Sequence, residues 1–183
     1  VLRMAIKRGV NAPETSSMGR LFDAAAAVTG NLLEVSYEGE AAVWFEQQAD
    51  PTAWGRYQFE ISDSDGKLEI DPGPILNQIC RDRGTLSVGA ISAKFHRTIA
   101  ALVTEVCLRL RLEAQTDQVA LSGGVFQNRL LLDLTWESLE GQGFKVFVPE
   151  VVPMNDGGIA LGQAWLGGLM IERGIDDVFS SAR

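Results

Sequence analysis

The chain has 183 residues, of which 46% are hydrophobic, and this is enough for one folded domain with a sizeable core. No apolar run approaches the length of a membrane-spanning helix, so we expect no membrane association. With 24 acidic against 16 basic residues the formal net charge is −8, and the basic residues are scattered, which argues against a nucleic-acid partner.

The chain begins at Val1, without an initiator methionine, a signal segment or a transit segment. A helical pattern from Leu2 ends in a basic pair before Gly9, because cations and then glycine are favoured where a helix ends. Since the sequence opens inside a helical pattern, we expect a fragment of a larger cytoplasmic protein.

Helical periodicity dominates the first 113 residues. Apolar residues recur there at intervals of three and four, and glycine, proline or charged residues stand at the ends of each run. The predicted helices cover residues 21–29, 39–49, 74–83 and 87–113. Gly30 is expected to close the first of them.

One segment between these helices predicts strands instead. Residues 57–61 and 67–70 alternate between apolar and polar side chains, and residues 63–66 are typical of a turn. We therefore expect a surface hairpin near 55–71.

The last third alternates between strands and helices. Strands are predicted over 118–121 and 144–148, and helices over 126–140 and 157–172. Alternation of this kind is typical of an α/β fold with a mixed sheet covered by helices.

Each of these strands is followed by a Gly-Gly pair and a helix. In the first such turn, Gly123 and Gly124 let a ligand approach the backbone, and the helix N-terminus favours a phosphate. Asn128, about one turn further on, can offer a donor and an acceptor to a sugar or phosphate. The alternative is a plain tight turn with a surface asparagine, and spacing does not separate the two.

The second turn carries a carboxylate, Asp156, before the pair Gly157-Gly158. Its commoner role would be to cap the following helix, which contributes roughly 1 kcal/mol. The other role is to bind a divalent cation that bridges phosphates. Two Gly-Gly turns in one small chain suggest a shared cleft.

Other polar residues give weaker signals. Asp23 lies within an apolar helical segment and either faces solvent or accepts hydrogen bonds from a ribose. His96, the one histidine of the sequence, is interpreted as a packed or surface residue because no second ligand stands at metal-binding spacing. Cys80 and Cys107 are too few for a disulfide framework and are interpreted as reduced core thiols.

Four segments together resemble the C-terminal region of the HypF family, the carbamoyltransferases of [NiFe]-hydrogenase maturation. They cover nearly the whole chain in the family's order, and the string Ser-Gly-Gly-Val-Phe-Gln-Asn is the most specific among them. The segments are 16–24, 37–42, 121–129 and 155–163.

The resemblance implies that residues 1–183 form the C-terminal lobe of a carbamoyltransferase domain. It also implies that this domain has an actin-like, ribonuclease H-like ATPase fold. In this family ATP and carbamoyl phosphate give carbamoyl adenylate. The carbamoyl group then passes to the C-terminal cysteine of HypE and becomes the cyanide ligand of the hydrogenase iron.

The resemblance also assigns residues. Gly123, Gly124 and Asn128 match the nucleotide-binding turn, and Asp23 matches the acid that holds the ribose. Two further matches are Gly39, near another nucleotide contact, and Asp156, a ligand of a divalent metal. No residue matches a catalytic nucleophile.

The family's other metal ligands, two histidines in a His-x-x-x-His motif, are absent from this sequence. We therefore expect an incomplete metal site and an inactive fragment. Three alternatives stay open: an O-carbamoyltransferase lobe, a tRNA threonylcarbamoyltransferase lobe, and a non-catalytic nucleotide-binding docking module.

Overall fold

The computed structural model describes residues 2–13, 15–32 and 34–174. The chain divides into two compact units, Val1–Val106 and Cys107–Arg183. Across the described ranges, no helix is both long enough and apolar enough to cross a membrane.

The first unit is mainly helical. Its last helix continues past the end of the unit. The elements are α1 (Leu2–Lys7), α2 (Met18–Gly30), α3 (Glu40–Gln47), β1 (Ile61–Ser64), β2 (Lys67–Ile70), α4 (Gly73–Asp82) and α5 (Val88–Ala114).

The core of this unit lies where α2, α3 and α5 meet. Phe22, Phe45 and Phe95 are fully buried, and the rings of Phe22 and Phe95 meet edge to face with centroids 4.9 Å apart. Ile75 and Ile79 of α4 are also fully buried, and their spacing of four residues places them on one face of the helix.

The end of α2 differs from its prediction. Gly30 is the last helical residue, and Asn31 instead adopts the left-handed conformation, with φ of 55°, that closes the helix. Gly30 serves packing, because the Trp44 indole occupies the space that a side chain at this position would need.

The hairpin is present, with its first strand four residues later than predicted. The two-residue turn Asp65-Gly66 has positive φ at both positions, which matches the right-handed twist of the paired strands. Tyr57 is not in a strand, because its backbone N–H donates to Thr98 Oγ1 of α5 at 2.8 Å and its side chain is buried. The alternation at 57–61 therefore reflects packing on a helix.

The second unit has an α/β arrangement. Its elements are β3 (Gln118–Ala120), α6 (Arg129–Gly141), β4 (Lys145–Phe147) and α7 (Ile159–Glu172), with short 3₁₀ turns at Gly124–Gln127 and Asp156–Gly158. The strands β3 and β4 are parallel, with Val119 opposite Val146. In the described part of the chain the strands form two separate two-stranded sheets, β1 with β2 and β3 with β4.

The core of the second unit lies between this parallel pair, α6 and the end of α5. Its buried side chains are all apolar, and they lie in β4, in α6 and in the residues next to the strands. They are Leu121, Leu132, Leu139, Phe144 and Val146.

The two cysteines have different environments. Cys107 is half-buried against this second core, as expected. Cys80 is exposed, so its prediction as a core thiol was wrong. The reason is helical geometry: Ile79 faces the core, and the next residue of α4 points about 100° away from it.

Candidate functional site

The turns that follow β3 and β4 lie side by side. Both strands are parallel, so both chains leave the sheet at the same edge. Leu121 N–H donates to the carbonyl of Phe147 at 2.8 Å, and Gly123 N–H donates to the carbonyl of Met154 at 2.8 Å. The first bond joins the ends of the two strands, and the second joins Gly123 to the loop that leads into the second Gly-Gly turn.

A cavity of about 300 Å³ opens between these turns. Backbone of the two turns and a short apolar loop enclose it. Its lining residues are Ser122, Gly123, Pro149, Val152, Pro153, Met154, Asn155, Asp156, Gly158 and Ile159. The start of α7 borders this cavity, and the partial positive charge at a helix N-terminus favours an anion there.

The first glycine pair combines a required conformation with open space. Gly123 has φ of +104°, which side chains rarely allow, whereas Gly124 has no such constraint. A Cβ on Gly124 would meet nothing closer than Gln127 Oε1 at 4.0 Å. Packing among the described residues therefore does not explain a glycine at position 124.

Asn128 does not lie inside the helix predicted over 126–140. It is the N-cap of α6, and its Oδ1 accepts from Leu131 N–H at 2.8 Å. The reason is the intervening 3₁₀ turn Gly124–Gln127, which delays the α-helix by three residues relative to the predicted start. Asn128 is thus a structural residue whatever else it contacts.

The capping role expected of Asp156 belongs to its neighbour. Asn155 Oδ1 accepts from Gly157 N–H at 3.0 Å, and Asn155 is the N-cap of the 3₁₀ turn. Within the ranges that the structure describes, the exposed Asp156 carboxylate has no hydrogen bond or ion pair. It is available at the edge of the cavity.

Gly158 has a packing role in the same turn. A Cβ there would stand 2.6 Å from the carbonyl oxygen of Pro153. A side chain at position 158 would therefore push the Pro153 loop away from the start of α7, and glycine allows the close approach.

Asp23 and Gly39 lie in the first unit. Asp23 is paired with Arg20, one turn earlier on α2, through Arg20 Nη1 and Asp23 Oδ2 at 3.3 Å. The Asp23 side chain is 30% exposed, so it is held rather than free in solvent. Arg20 Nη2 also lies 3.8 Å from Glu38 Oε1, next to Gly39.

Gly39 is the N-cap of α3, with φ of +86°, and no atom of the described residues lies within 4 Å of the position of a Cβ. The preceding loop is fixed because Ser36 donates from its backbone N–H and its hydroxyl to Glu40. The backbone bond from Ser36 is the main cause that lowers the pKa of Glu40.

His96 is a core residue, as one of the two predicted environments had it. It is fully buried among the rings of Phe22, Phe45 and Phe95, and its Nδ1 lies 2.8 Å from the carbonyl oxygen of Ser92. Burial lowers its pKa to about 4. It takes no part in a candidate metal site.

Among residues 2–13, 15–32 and 34–174, no three His, Cys, Asp or Glu side chains lie close enough together to hold a metal ion. Asp156 can offer a single carboxylate to a metal ion.

Two residues of these sites were missed from the sequence. Arg20 stands three residues before Asp23, a spacing that favours an ion pair on a helix and could have signalled it. Asn155 precedes Asp156 as an equally good cap, and nothing in the sequence alone decides between the two.

Comparison with known proteins gives consistent similarities. The family model for the carbamoyltransferase Kae1-like domain, second subdomain, matches residues 1–163. The carbamoyltransferase HypF of Rhizobium leguminosarum is 42% identical over 154 residues, which are 82% of this chain and 19% of that protein. HypF of a Synechocystis species is 38% identical over 164 residues, which are 88% of this chain and 20% of that protein.

A solved structure is also similar. The crystal structure of full-length HypF in its phosphate- and nucleotide-bound form matches with a TM-score of 0.88 at 41% identity, over 92% of this chain and 22% of that one. The chain therefore spans about a fifth of the length of the relatives that it matches.

Proposed function

This chain belongs to the HypF family of carbamoyltransferases, and on that basis we propose that it supplies nucleotide-binding residues to a carbamoyl-transfer site. The proposed donor is carbamoyl adenylate, made from ATP and carbamoyl phosphate. The proposed acceptor is the C-terminal cysteine of a HypE-like protein, on the route to the cyanide ligand of [NiFe]-hydrogenase.

The transfer itself is a substitution at the carbamoyl carbon. The acceptor thiolate attacks this carbon and forms a C–S bond. The bond from carbon to the phosphate oxygen breaks, and AMP leaves with the electron pair. Neither cysteine of this chain is the proposed nucleophile, and burial raises the pKa of Cys107, which disfavours its thiolate.

The observation that carries the proposal is the convergence of two glycine turns on one cavity. The backbone at Gly123 and the start of α7 both border it. The start of α7 is fixed before a ligand binds, so its partial positive charge can stabilise a phosphate without reorganising. The Gly123 N–H already donates to the Met154 carbonyl, so Gly123 shapes the cavity rather than donating to a phosphate. Gly124 leaves open the path by which a phosphate would reach the backbone.

In the first unit, Asp23 is the proposed acceptor for ribose hydroxyls, and Gly39 is the proposed site of a further nucleotide contact. Arg20 supports the first role, because it fixes the Asp23 carboxylate from one side. Both assignments rest on the family motifs.

Asp156 is the proposed ligand of a divalent cation. Its exposed carboxylate suits this role because Asn155 has taken the capping bond. A single carboxylate does not form a metal site, so we assign no part of the transfer step to the cation.

The decisive variant is Gly124→Ala. The chain should be tested in place of the matching segment of a full-length relative, with ATP affinity measured by calorimetry and carbamoyl transfer measured by the mass of the HypE-like acceptor. Because the added methyl group clashes with no atom of the described residues, we expect normal folding but an ATP affinity lower by roughly tenfold, about 1.4 kcal/mol.

The matched control is Gly141→Ala, at the end of α6, where a methyl group also has open space. It should leave affinity and transfer unchanged. If Gly124→Ala binds ATP normally, the nucleotide assignment of this turn fails. If it binds ATP weakly while transfer is unchanged, the turn belongs to a nucleotide-binding docking module instead.

A further inference from the structure

The helix α7 exposes more apolar side chains than the surface of a monomeric folded protein usually does. Of its 14 residues, only Gln163 and Glu172 are polar or charged, and none is buried. The large apolar side chains with the greatest exposure are Ile159 at 52%, Leu161 at 57%, Trp165 at 72%, Leu166 at 54% and Ile171 at 83%. Exposed apolar area of this extent marks an interaction surface.

These side chains point in several directions around the helix axis. At about 100° per residue, Ile159 and Leu166 lie within roughly 20° of each other, whereas Leu161 and Trp165 lie on the far side. Ile171 lies between the two directions, about 120° from Ile159. A helix that is apolar all round is typical of the interior of a larger protein.

This arrangement disfavours two possible occupants. A membrane is disfavoured, since 14 residues span only about 21 Å and α7 carries no basic residue for a lipid headgroup. A second copy related by a twofold axis is also disfavoured, because a pair of helices covers one stripe of each helix and leaves the opposite side exposed.

We propose that α7 inserts into an apolar groove formed by the preceding subdomain of the same full-length carbamoyltransferase. The chain covers 22% of the full-length relative of known structure, and its family model describes a second subdomain, so most of the polypeptide that could cover α7 lies outside these residues. The groove is a partner surface of apolar side chains that contacts both sides of the helix. This docking is independent of the catalytic proposal.

Trp165 reports directly on this docking. Its emission is obtained by subtracting the spectrum of Trp165→Phe from that of the parent protein, both in the isolated 183-residue chain and in a full-length relative carrying this chain in place of its own segment. In the isolated chain at low concentration, we expect the emission of a water-exposed tryptophan, and we expect iodide to quench it. In the full-length protein, the emission should shift to the blue and resist quenching.

The double substitution of Leu161 and Trp165 by glutamine gives a second measurement. It should leave the melting temperature of the isolated chain unchanged, because these side chains bury little there. It should lower that of the full-length protein by roughly 5–10 °C. The control Leu112→Gln, at a residue that is 76% exposed on α5, should change neither.

Three results would overturn the proposal. Quenching of Trp165 in the full-length protein would show that no groove covers it. Protection that grows with concentration in the isolated chain would assign the surface to a second copy. Protection in the isolated chain at every concentration would show that the chain covers α7 by itself.

Discussion

At the scale of single residues, the structure separates side chains that hold the fold from those that are open to a ligand. Asn128 and Asn155 both use their carboxamide oxygen to cap a turn or helix. Asp156 and Gly124 stand beside them without such a role. All four residues belong to the same two sequence motifs, but only Asp156 and Gly124 can be changed without a direct cost in stability.

This distinction changes how Asn128 should be tested. Asn128→Ala removes the cap of α6 and should lower the free energy of unfolding by about 1 kcal/mol, measured by urea denaturation. Asn128→Asp keeps a capping oxygen and should unfold at nearly the parent urea concentration. Equal destabilisation by both variants would contradict the capping role of the Asn128 side-chain oxygen. Because Asn128→Asp keeps this cap, it is the better probe of nucleotide binding.

His96 should make stability depend on pH. Its pKa is about 4 in the folded state, against an ordinary value near 6.5, so below pH 6.5 the unfolded chain takes up a proton that the folded chain excludes. Stability is therefore lost as the pH falls from about 6.5 to about 4, by roughly 3 kcal/mol in total.

The measurement is urea denaturation across this pH range for the parent and for His96→Gln. The variant has no imidazole to titrate, so its curve should lack this part of the decline while keeping the contribution of the carboxylates. Parallel curves for the two proteins would contradict the pKa assigned to His96.

At the scale of elements, local signals and packing agree for most helices. The helices α4 and α5 begin within one residue of their predicted starts, because apolar periodicity and capping residues act together. The disagreements occur where a side chain from another element intervenes. Tyr57 binds α5 instead of a neighbouring strand, and Gly30 packs under Trp44 instead of closing α2.

The packing of α2 on α3 can be tested at Gly30. Gly30→Ala would place a methyl group inside the space of the Trp44 indole, so we expect the free energy of unfolding to fall by about 1–3 kcal/mol. Gly19→Ala, in the same helix, meets only Ser17 Oγ at 3.6 Å and should not destabilise. Thermal unfolding by circular dichroism compares the two, and equal melting temperatures would contradict this packing.

At the scale of the whole molecule, the family similarity confirms the predicted α/β class and the actin-like lobe of a carbamoyltransferase. The strands within the described residues form two two-stranded sheets, and the family model that matches the chain describes a second subdomain. The exposed helix α7 agrees with this reading.

We expect tight metal binding only where this chain is part of a full-length protein. The isolated chain should bind divalent cations weakly, and Asp156→Asn should hardly change the calorimetric titration, because one carboxylate cannot replace a set of three ligands. In a full-length relative that carries this chain, the same substitution should weaken cation binding measurably. Tight stoichiometric binding by the isolated chain would contradict the prediction.

The sequence by itself determined the helices, the two strands of the second unit and the positions of both glycine turns, because these depend on local periodicity and backbone conformation. The sequence also suggested that the two turns share a cleft, and the cavity between them agrees with this. Only the tertiary structure decided that Asn155 rather than Asp156 provides the cap, and that Cys80 is exposed. Those outcomes depend on which groups meet through space, and spacing along a chain does not encode that.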